Sequence, residues 1–449
     1  MNHCSAPLDI LIQGGRLLTL AEDNRVIEDP LIGIRDGEIL FLEEAHAPLV
    51  SLYAPKEIIH ADGCIILPGL VNTHTHVPMV CFRGLADDLP LMDWLNNNIF
   101  PAERKYVNRE MVHAGALLGI AEMLLSGTTT FCDGYFYESS VARAAHESGI
   151  RCVAGMGFLD ADMDHVAAAE IERHVQGADK FLSKWLSERP MITPALFCHS
   201  PYTCSPQTIR AIKEVARRHA VPFLIHLAET SDEKEIIMNR YGNTPVHHLD
   251  TLGVLDDLTI AVHCNWLDEG EIACLAANHV KVSHNPQSNM KLAAGVGPIP
   301  ELLAAGVDVG LGTDGCASNN DHDMFGEMDS AAKLHKLIKK DPSIMDARTV
   351  LTMATMGGAR VLGLDRLIGS IEVGKMADMI IVDLKKPHLT PVYNICSQLV
   401  YAASGADVRT SIINGKIVMK DRRLMTIDLE EVMDNVNKIA HDIKHSLFK

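Results

Sequence analysis

The sequence predicts an α/β protein in which a (β/α)8 barrel is joined to one small sheet domain built from both ends of the chain. From Pro68 to about Leu364, short apolar runs alternate with longer amphipathic stretches, a pattern typical of strands and helices that build a parallel sheet. Both ends of the chain read as β structure instead. Polar residues follow many of the central runs, at the strand ends where barrel enzymes carry their reactive groups.

The N-terminal segment, residues 1–67, is predicted to consist of strands. Asp9–Leu20 is an apolar run with a glycine pair inside it, and Pro30–Glu43 alternates apolar and polar residues around a turn at Asp36–Gly37. No basic stretch followed by an apolar core stands at the start of the chain, so we expect no signal peptide.

The barrel is expected to span residues 68–366. Its predicted strands are Cys64–Leu70, Ile150–Gly155, Met191–Phe197, Pro222–His226, Leu258–His263, Val280–His284 and Val307–Thr313. The predicted helices between them include Arg109–Ser126, Ser205–His219 and Pro298–Ala305. About seven or eight such units over roughly 300 residues suit a barrel. A doubly wound open sheet is the alternative, which the lack of a Gly-x-Gly-x-x-Gly turn after an early strand disfavours.

After the barrel, residues 367–425 are predicted to return to β structure. Ala377–Leu384 is a short apolar run typical of a buried strand, and Val408–Lys420 carries a hairpin signal at Asn414–Gly415. Residues 426–449 have the spacing of a helix. Because β segments at opposite ends of the chain lie outside the barrel, we expect them to form one sheet domain together.

Composition excludes several kinds of partner. The 449 residues carry a formal net charge of −18, from 40 basic and 58 acidic side chains, which argues against a nucleic-acid partner. No apolar run reaches the roughly 18 residues that cross a bilayer, so we expect no membrane partner. The 11 cysteines form no Cys-x-x-Cys pair, which favours reduced thiols in a cytoplasmic protein. The sequence leaves open whether the chain forms a homo-oligomer.

Histidines and acids cluster at the ends of the predicted strands. These ends read Asn72–His76, Cys198–Ser200, His226–Glu229, His263–Cys264, Ser283–Asn285 and Gly312–Gly315. A lone His-x-His pair is weak evidence, because 22 histidines in 449 residues supply roughly one such pair by chance. Residues two apart on a strand face the same side, so His74 and His76 can both point into the barrel mouth. The further residues His226, His263 and Asp314 at successive strand ends argue against coincidence.

This set of side chains suits a divalent metal ion. Neutral imidazoles and a carboxylate bind Zn²⁺ or Fe²⁺, and such an ion lowers the pKa of a bound water towards about 7. Glu229 lies three residues after His226, where it can move protons without being a ligand. We therefore expect one divalent ion per chain, Zn²⁺ first and Fe²⁺ second.

The motifs that carry these residues resemble those of the amidohydrolase superfamily. They are Pro68–His76 (PGLVNTHTH), His226–Thr230 (HLAET), Ser283–Pro286 (SHNP) and Gly312–Gly315 (GTDG). More closely, residues 8–425 are similar to the 5-methylthioadenosine/S-adenosylhomocysteine deaminases and to the related triazine chlorohydrolases. The resemblance implies a (β/α)8 TIM barrel with a β-sandwich formed by both termini. It also implies hydrolytic deamination of 5-methylthioadenosine, adenosine or S-adenosylhomocysteine to the inosine analogue and ammonia by a metal-bound hydroxide.

The resemblance assigns roles to individual residues. The implied metal ligands are His74, His76, His226 and Asp314. Glu229 is implied to protonate the ring nitrogen, and His263 and Asp314 to handle the proton of the water. The implied substrate contacts are Glu103 to the ribose hydroxyls, His199, Trp94, Glu229, Asp314 and Met156.

Met156 departs from the family pattern. In relatives that bind the amino-acid tail of S-adenosylhomocysteine well, an Arg precedes the run that is Gly157–Asp160 in this chain. A thioether packs on a methylthio group better than it binds a carboxylate, so we expect 5-methylthioadenosine or adenosine to be preferred.

Two other functions compete with nucleoside deamination. The same hydrolytic chemistry applies to another heteroaromatic ring, such as guanine, cytosine or a chlorinated triazine. Glu103 favours a nucleoside over these rings, because a substrate without ribose does not need a carboxylate that binds ribose hydroxyls. A catalytically inactive barrel that serves in assembly is the third possibility. The complete set of ligands together with Glu229 argues against that one.

Overall fold

The computed structural model describes residues 7–22, 25–44, 54–89, 91–163 and 165–447. Within these ranges no helix has the length and apolarity that a membrane span requires.

The described residues contain nineteen strands. They are β1 (Ile10–Gln13), β2 (Arg16–Leu18), β3 (Val26–Glu28), β4 (Pro30–Arg35), β5 (Glu38–Glu44), β6 (Glu57–His60), β7 (Cys64–Pro68), β8 (Leu70–Thr75), β9 (Thr128–Tyr135), β10 (Arg151–Phe158), β11 (Ile192–Cys198), β12 (Phe223–Leu227), β13 (Thr259–His263), β14 (Lys281–His284), β15 (Val309–Leu311), β16 (Met379–Asp383), β17 (Val408–Ile413), β18 (Lys416–Lys420) and β19 (Arg423–Leu424).

Sixteen α-helices lie in the same ranges. They are α1 (Leu91–Trp94), α2 (Phe100–Tyr106), α3 (Arg109–Ser126), α4 (Ser139–Ser148), α5 (Ala168–Trp185), α6 (Pro206–His219), α7 (Ser231–Tyr241), α8 (Pro245–Thr251), α9 (Glu269–Ala277), α10 (Pro286–Lys291), α11 (Ile299–Ala304), α12 (Met324–Lys339), α13 (Ala347–Thr352), α14 (Gly358–Val361), α15 (Ile395–Tyr401) and α16 (Leu429–Leu447). Capping residues set several boundaries. For example, Asn108 accepts hydrogen bonds from two amides at the start of α3, and Gly127 ends that helix with a φ of 91°.

Strands β8 to β15 form one parallel sheet in chain order. The first and last strands of this sheet also meet, because the Asp314 amide donates to the His74 carbonyl (3.0 Å) and the Thr73 hydroxyl to the Leu311 carbonyl (2.9 Å). The sheet thus closes into the predicted (β/α)8 barrel. Parallel strands bring all their carboxyl ends to one rim, and that rim carries the candidate site.

The remaining strands form two sheets from the two ends of the chain. One has the order β5-β4-β1-β6, and the other the order β19-β18-β17-β16-β7-β2-β3. Their facing surfaces share a core of buried aliphatic side chains from both ends, including Ile12, Leu17, Ile66, Ile381 and Ile412. This is the small domain expected from both termini. The division of the chain at 67/68, 366/367 and 425/426 stays a prediction.

Two details of the predicted strands are wrong. Cys64–Leu70 was expected to be the first barrel strand, but Cys64–Pro68 pairs with β2 and β16 in the small domain, and the barrel begins at Leu70. The apolar run continues across Gly69, so its pattern does not mark where the chain passes between sheets. Barrel strand β9 was missing from the prediction. Its sequence, TTTFCDGY, is fully buried although it does not read as an apolar run.

Candidate functional site

Four side chains converge at the carboxyl rim of the barrel. His74 and His76 come from the end of β8, His226 from β12, and Asp314 follows β15. The Nε2 atom of His74 lies 3.3 Å from His226 Nε2 and 3.4 Å from Asp314 Oδ1. His76 Nε2 lies 3.4 Å from the same carboxylate oxygen.

Neighbouring groups orient two of these four side chains, His76 and Asp314. The Nδ1–H of His76 donates to the Gly134 carbonyl (2.6 Å), which leaves Nε2 directed into the cluster as an acceptor. The hydroxyls of Ser288 and Ser318 both donate to Asp314 Oδ2, at 2.6 and 2.9 Å. Asp314 Oδ1 therefore stays turned towards the imidazoles.

Burial gives these groups the charges that a metal site needs. It lowers the pKa of His74 to about 4 and that of His226 well below its usual range, so both imidazoles are neutral at pH 7. Burial alone would raise the pKa of Asp314, but the nearby imidazoles of His74, His76 and His263 outweigh it and lower that pKa. At His74, His226 and Asp314 the result is two neutral nitrogen donors beside an ionised carboxylate.

The spacing of the donor atoms fits a single metal ion. Ligands about 2.0–2.1 Å from an ion in a tetrahedral arrangement lie roughly 3.4 Å from one another. The contacts measured here are 3.3 and 3.4 Å. The His74, His76 and His226 donor atoms lie within 4.8 Å of one another, as do those of His74, His263 and Asp314. The residues present thus fit a bound divalent cation in both chemistry and spacing.

Glu229 and His263, the two predicted proton-transfer groups, border the same cluster. His263 Nε2 lies 3.7 Å from Glu229 Oε1, and both side chains are buried. Burial raises the pKa of Glu229, so this carboxyl group holds a proton more readily than an exposed glutamate does. The Nδ1 atom of His263 contacts Asn289 Oδ1 at 2.8 Å, which directs Nε2 towards Glu229.

A cavity of about 750 Å³, including open space at its mouth, lies over this cluster. Its lining includes the predicted substrate residues Trp94, Glu103 and His199 together with Glu229, His263 and Asp314. Aromatic and aliphatic side chains that the sequence did not single out complete the wall, among them Phe100, Tyr135, Phe197, Tyr202 and Leu292.

Glu103 and His199 are held by neighbours at the cavity wall. The Tyr135 hydroxyl donates to Glu103 Oε1 at 2.5 Å, and burial raises the pKa of Glu103. His199 Nδ1 lies 2.8 Å from the Thr203 hydroxyl, and burial lowers the pKa of His199 to about 3. The imidazole of His199 is therefore a neutral hydrogen-bonding group at pH 7.

Met156 lies outside this inner cavity. It lines a second, outer cavity that shares Phe100, Glu103 and Leu159 with the first. Arg143 and Lys180 also line the outer cavity. The structure thus brings all predicted site residues to one connected region, with Met156 at its outer end.

Several residues that support the site were missed by sequence reasoning. Tyr135 ends the overlooked strand β9, and Ser288 and Asn289 lie on α10 directly after the SHNP motif. Serine and asparagine are common in loops and caps, so only their place in the fold distinguishes these ones. No predicted strand end pointed to Tyr135, because the strand that it ends was itself missed.

The sequence profile of the amidohydrolase family matches residues 65–418. A 5-methylthioadenosine/S-adenosylhomocysteine deaminase of Syntrophobacter fumaroxidans is 48% identical over 440 residues, covering 98% of this chain and 99% of the relative. A 5'-deoxyadenosine deaminase of Methanothermobacter thermautotrophicus is 45% identical over 414 residues, or 92% of this chain and 96% of the relative. Among solved structures, an adenosine deaminase from Xanthomonas campestris with bound zinc superposes with a TM-score of 0.93 at 37% identity, covering 98% of this chain and 99% of that one.

Proposed function

The chain belongs to the amidohydrolase family, and on that basis we propose that it is a metal-dependent aminohydrolase acting on adenosine-type nucleosides. The reaction joins a water oxygen to C6 of the adenine ring and breaks the bond from C6 to the amino group. The products are the inosine analogue and ammonia. The names of the Syntrophobacter, Methanothermobacter and Xanthomonas relatives support this substrate class.

His74, His76, His226 and Asp314 would hold the metal ion. When bound, a divalent cation there lowers the pKa of a water ligand towards neutrality and so supplies the nucleophile. We propose Zn²⁺, supported by the nitrogen and carboxylate donors and by the zinc in the Xanthomonas structure. Fe²⁺ accepts the same donors, so metal analysis of purified protein decides between them.

The acids and His263 would move the protons. Asp314 and His263 take the proton that the attacking water loses. Glu229, whose pKa burial raises, donates a proton to the ring nitrogen next to C6 and later passes one to the leaving amine. The distance of 3.7 Å between Glu229 Oε1 and His263 Nε2 supports these proton-transfer roles, because it places both groups at the same point of the cavity.

The cavity wall would bind the rest of the substrate. Glu103 accepts hydrogen bonds from the ribose hydroxyls, His199 contacts the base, and Trp94 packs on the ligand. Met156 contacts the 5'-substituent in the outer cavity. A carboxylate that is held by Tyr135 and faces the cavity favours a ribonucleoside over a free base such as guanine or cytosine.

The cellular setting is part of the proposal. The ten cysteines among the described residues are all free, which supports a reducing, cytoplasmic compartment. The small-molecule substrate is the proposed partner, and the net charge of −18 supports the absence of a nucleic-acid partner.

The convergence of four metal-binding donors beneath a cavity that also contains Glu229 and Glu103 is the observation that carries the proposal. We would test it by measuring ammonia release from adenosine, 5-methylthioadenosine, S-adenosylhomocysteine, guanine and cytosine. We expect turnover of the three nucleosides and none of the free bases. The Glu229→Gln variant, with its metal retained, should lose at least about 10²-fold in turnover. Turnover of a free base in preference to every nucleoside would overturn the proposed substrate class.

A further inference from the structure

Strand β12 and the turn that follows it present His226 and Glu229, respectively, to the cavity. Ala228, between them, has a φ of 51°, a left-handed conformation that is uncommon for residues other than glycine. Such a conformation persists only when surrounding contacts hold it. The groups that bond to the Ala228 and Glu229 peptides therefore decide where the Glu229 side chain points.

Glu233 holds this turn from one side. Its side chain is 1% exposed. Oε1 accepts the Ala228 amide and Oε2 the Glu229 amide, both at 2.9 Å. One buried carboxylate therefore fixes two successive peptide groups, and the second of these belongs to Glu229 itself.

This arrangement differs from ordinary helix capping. Thr230 caps helix α7 by accepting the Glu233 amide, so Glu233 stands where a capping-box glutamate would return to the amide of the capping residue. Its carboxylate instead accepts hydrogen bonds from the amides of Ala228 and Glu229, the two residues before Thr230. Helix α9, in contrast, has the ordinary arrangement, in which Glu271 returns to the amide of its capping residue Asp268 (2.9 Å).

Asn265 holds the same turn from the other side. Its main-chain amide donates to the Ala228 carbonyl (2.9 Å), and its side-chain amide donates to the Glu229 carbonyl (3.0 Å). Asn265 Oδ1 then accepts from Asn289 (2.8 Å), the residue that contacts His263 Nδ1. One hydrogen-bonded network thus links the main chain of Glu229 to the imidazole of His263.

We propose that Glu233 is a positioning residue that holds the Glu229 carboxyl against His263 and the substrate through the two amides it binds. This inference rests on the proposed function, because it assumes that Glu229 moves protons. Among the described residues, Glu233 belongs neither to the cavity lining nor to the groups of donor atoms that could hold a metal ion. Its effect on the reaction passes through the geometry of the turn.

The test compares Glu233→Gln with Glu271→Gln. Glutamine offers one acceptor oxygen, and its NH₂ group would face the second amide N–H, so the turn relaxes. Misplacement by about 1 Å can cost up to about 10²-fold in rate, and we expect Glu233→Gln to lower kcat by about ten-fold or more with one metal ion per chain retained. Glu271→Gln removes the carboxylate of another buried helix-start glutamate and should leave kcat within about two-fold of wild type. Equal kcat in the two variants, or loss of metal in Glu233→Gln, would overturn the proposal.

Glu233→Asp keeps both oxygens but withdraws them by one methylene. Its kcat should lie between those of wild type and Glu233→Gln. If the glutamine variant does not fold, the kcat of Glu233→Asp provides the test instead. Wild-type kcat in Glu233→Asp and Glu233→Gln alike would count against positioning.

A double-mutant cycle separates positioning from general stability. With Glu229 already replaced by Gln, a further Glu233→Gln change should lower kcat by less than about two-fold, because the group that Glu233 positions no longer works. A full ten-fold loss in that background would overturn the positioning role. Near-wild-type activity of Glu229→Gln alone would instead overturn the proposed role of Glu229, so the two failures are distinguishable.

Discussion

His226 lies on β12, and its Nε2 atom is 3.3 Å from Nε2 of His74. Removing it leaves three of the four donors, so we expect His226→Ala to lose the bound metal ion. His199→Ala is the matched control, because its ring lies beside that of His226, with centroids 4.9 Å apart, and it should keep the metal. The measurement is metal content per chain after gel filtration. Full occupancy in His226→Ala would remove this residue from the ligand set.

Replacing Glu103 tests whether its carboxylate binds the ribose hydroxyls. Tyr135 occupies one lone pair of Oε1, and the remaining lone pairs can accept two hydrogen bonds from a vicinal diol. Hydrogen bonds to charged groups contribute about 1.5–3 kcal/mol, so Glu103→Ala should lower kcat/KM for adenosine by about ten-fold or more. The 2',3'-dideoxy analogue, which lacks the diol, is the matched control and should be nearly unaffected. Equal losses for both substrates would show that Glu103 supports the fold rather than the sugar.

At the scale of elements, local sequence patterns predicted the bounds of helices and the positions of tight turns better than the bounds of the barrel strands. Helix α3 has the predicted bounds Arg109–Ser126, and the hairpin at Asn414–Gly415 joins β17 to β18 as expected. Asn414 and Gly415 both have positive φ, as the turn chemistry requires. These features depend on local sequence alone, which is why they were predictable.

The missed elements depend on contacts far away in the chain. Strand β9 contains three consecutive threonines that are buried in a strand paired with β8 and β10 and contacted by α3. No local sequence pattern predicts that burial. The cluster of candidate ligands was predictable because His74, His76, His226 and Asp314 all lie at or just after the ends of barrel strands. Glu233 and Asn289 were not, because each acts through main-chain atoms or side chains that only the folded turns bring close.

In the proposed function, the outer cavity, which residues of β10 and α5 help to line, would receive the 5'-substituent. Two arginines close to Met156 in the sequence are bonded elsewhere. Arg151 is buried and bonded to Asp378, and Arg173 is exposed and bonded to a carbonyl of its own helix. Neither lines the outer cavity, whereas Arg143 and Met156 do. Met156 is therefore the proposed determinant of selectivity between a methylthio group and an amino-acid tail, and Arg143 and Lys180 are cationic alternatives in the same cavity.

We expect wild type to use 5-methylthioadenosine better than S-adenosylhomocysteine, because Met156 packs on a thioether and offers no partner to a carboxylate. A charge-assisted pair contributes about 1.5–3 kcal/mol. Met156→Arg should thus raise the relative kcat/KM for S-adenosylhomocysteine by about ten- to a hundred-fold. Arg143→Gln is the control and should leave the wild-type ratio unchanged. A wild-type preference for S-adenosylhomocysteine that Arg143→Gln abolishes would assign the carboxylate contact to Arg143.

At the scale of the whole molecule, one buried ion pair connects the barrel to the small domain. Arg151 begins barrel strand β10, and Asp378 precedes β16 of the small domain. The guanidinium donates through Nε and Nη2 to the two carboxylate oxygens at 2.8 and 2.9 Å, and the side chains are 0% and 2% exposed. Asp378 Oδ1 also accepts the Asn414 amide (2.7 Å), which ties the β17–β18 hairpin to the same point.

Breaking this pair should destabilise the junction between the two domains. Asp378→Asn keeps an acceptor for the Asn414 amide but leaves the Arg151 guanidinium buried without a counter-charge, which costs about 3–5 kcal/mol. The control is Glu147→Gln, which removes the exposed partner of Arg143 (3.8 Å, 55% and 48% exposed) and should cost at most about 1 kcal/mol. Thermal unfolding followed by circular dichroism should therefore show a clearly lower midpoint for Asp378→Asn and a midpoint near that of wild type for Glu147→Gln. Equal midpoints in the two variants would mean that the buried pair contributes no more to stability than an ion pair on the surface, and that the shared aliphatic core alone holds the small domain together with the barrel.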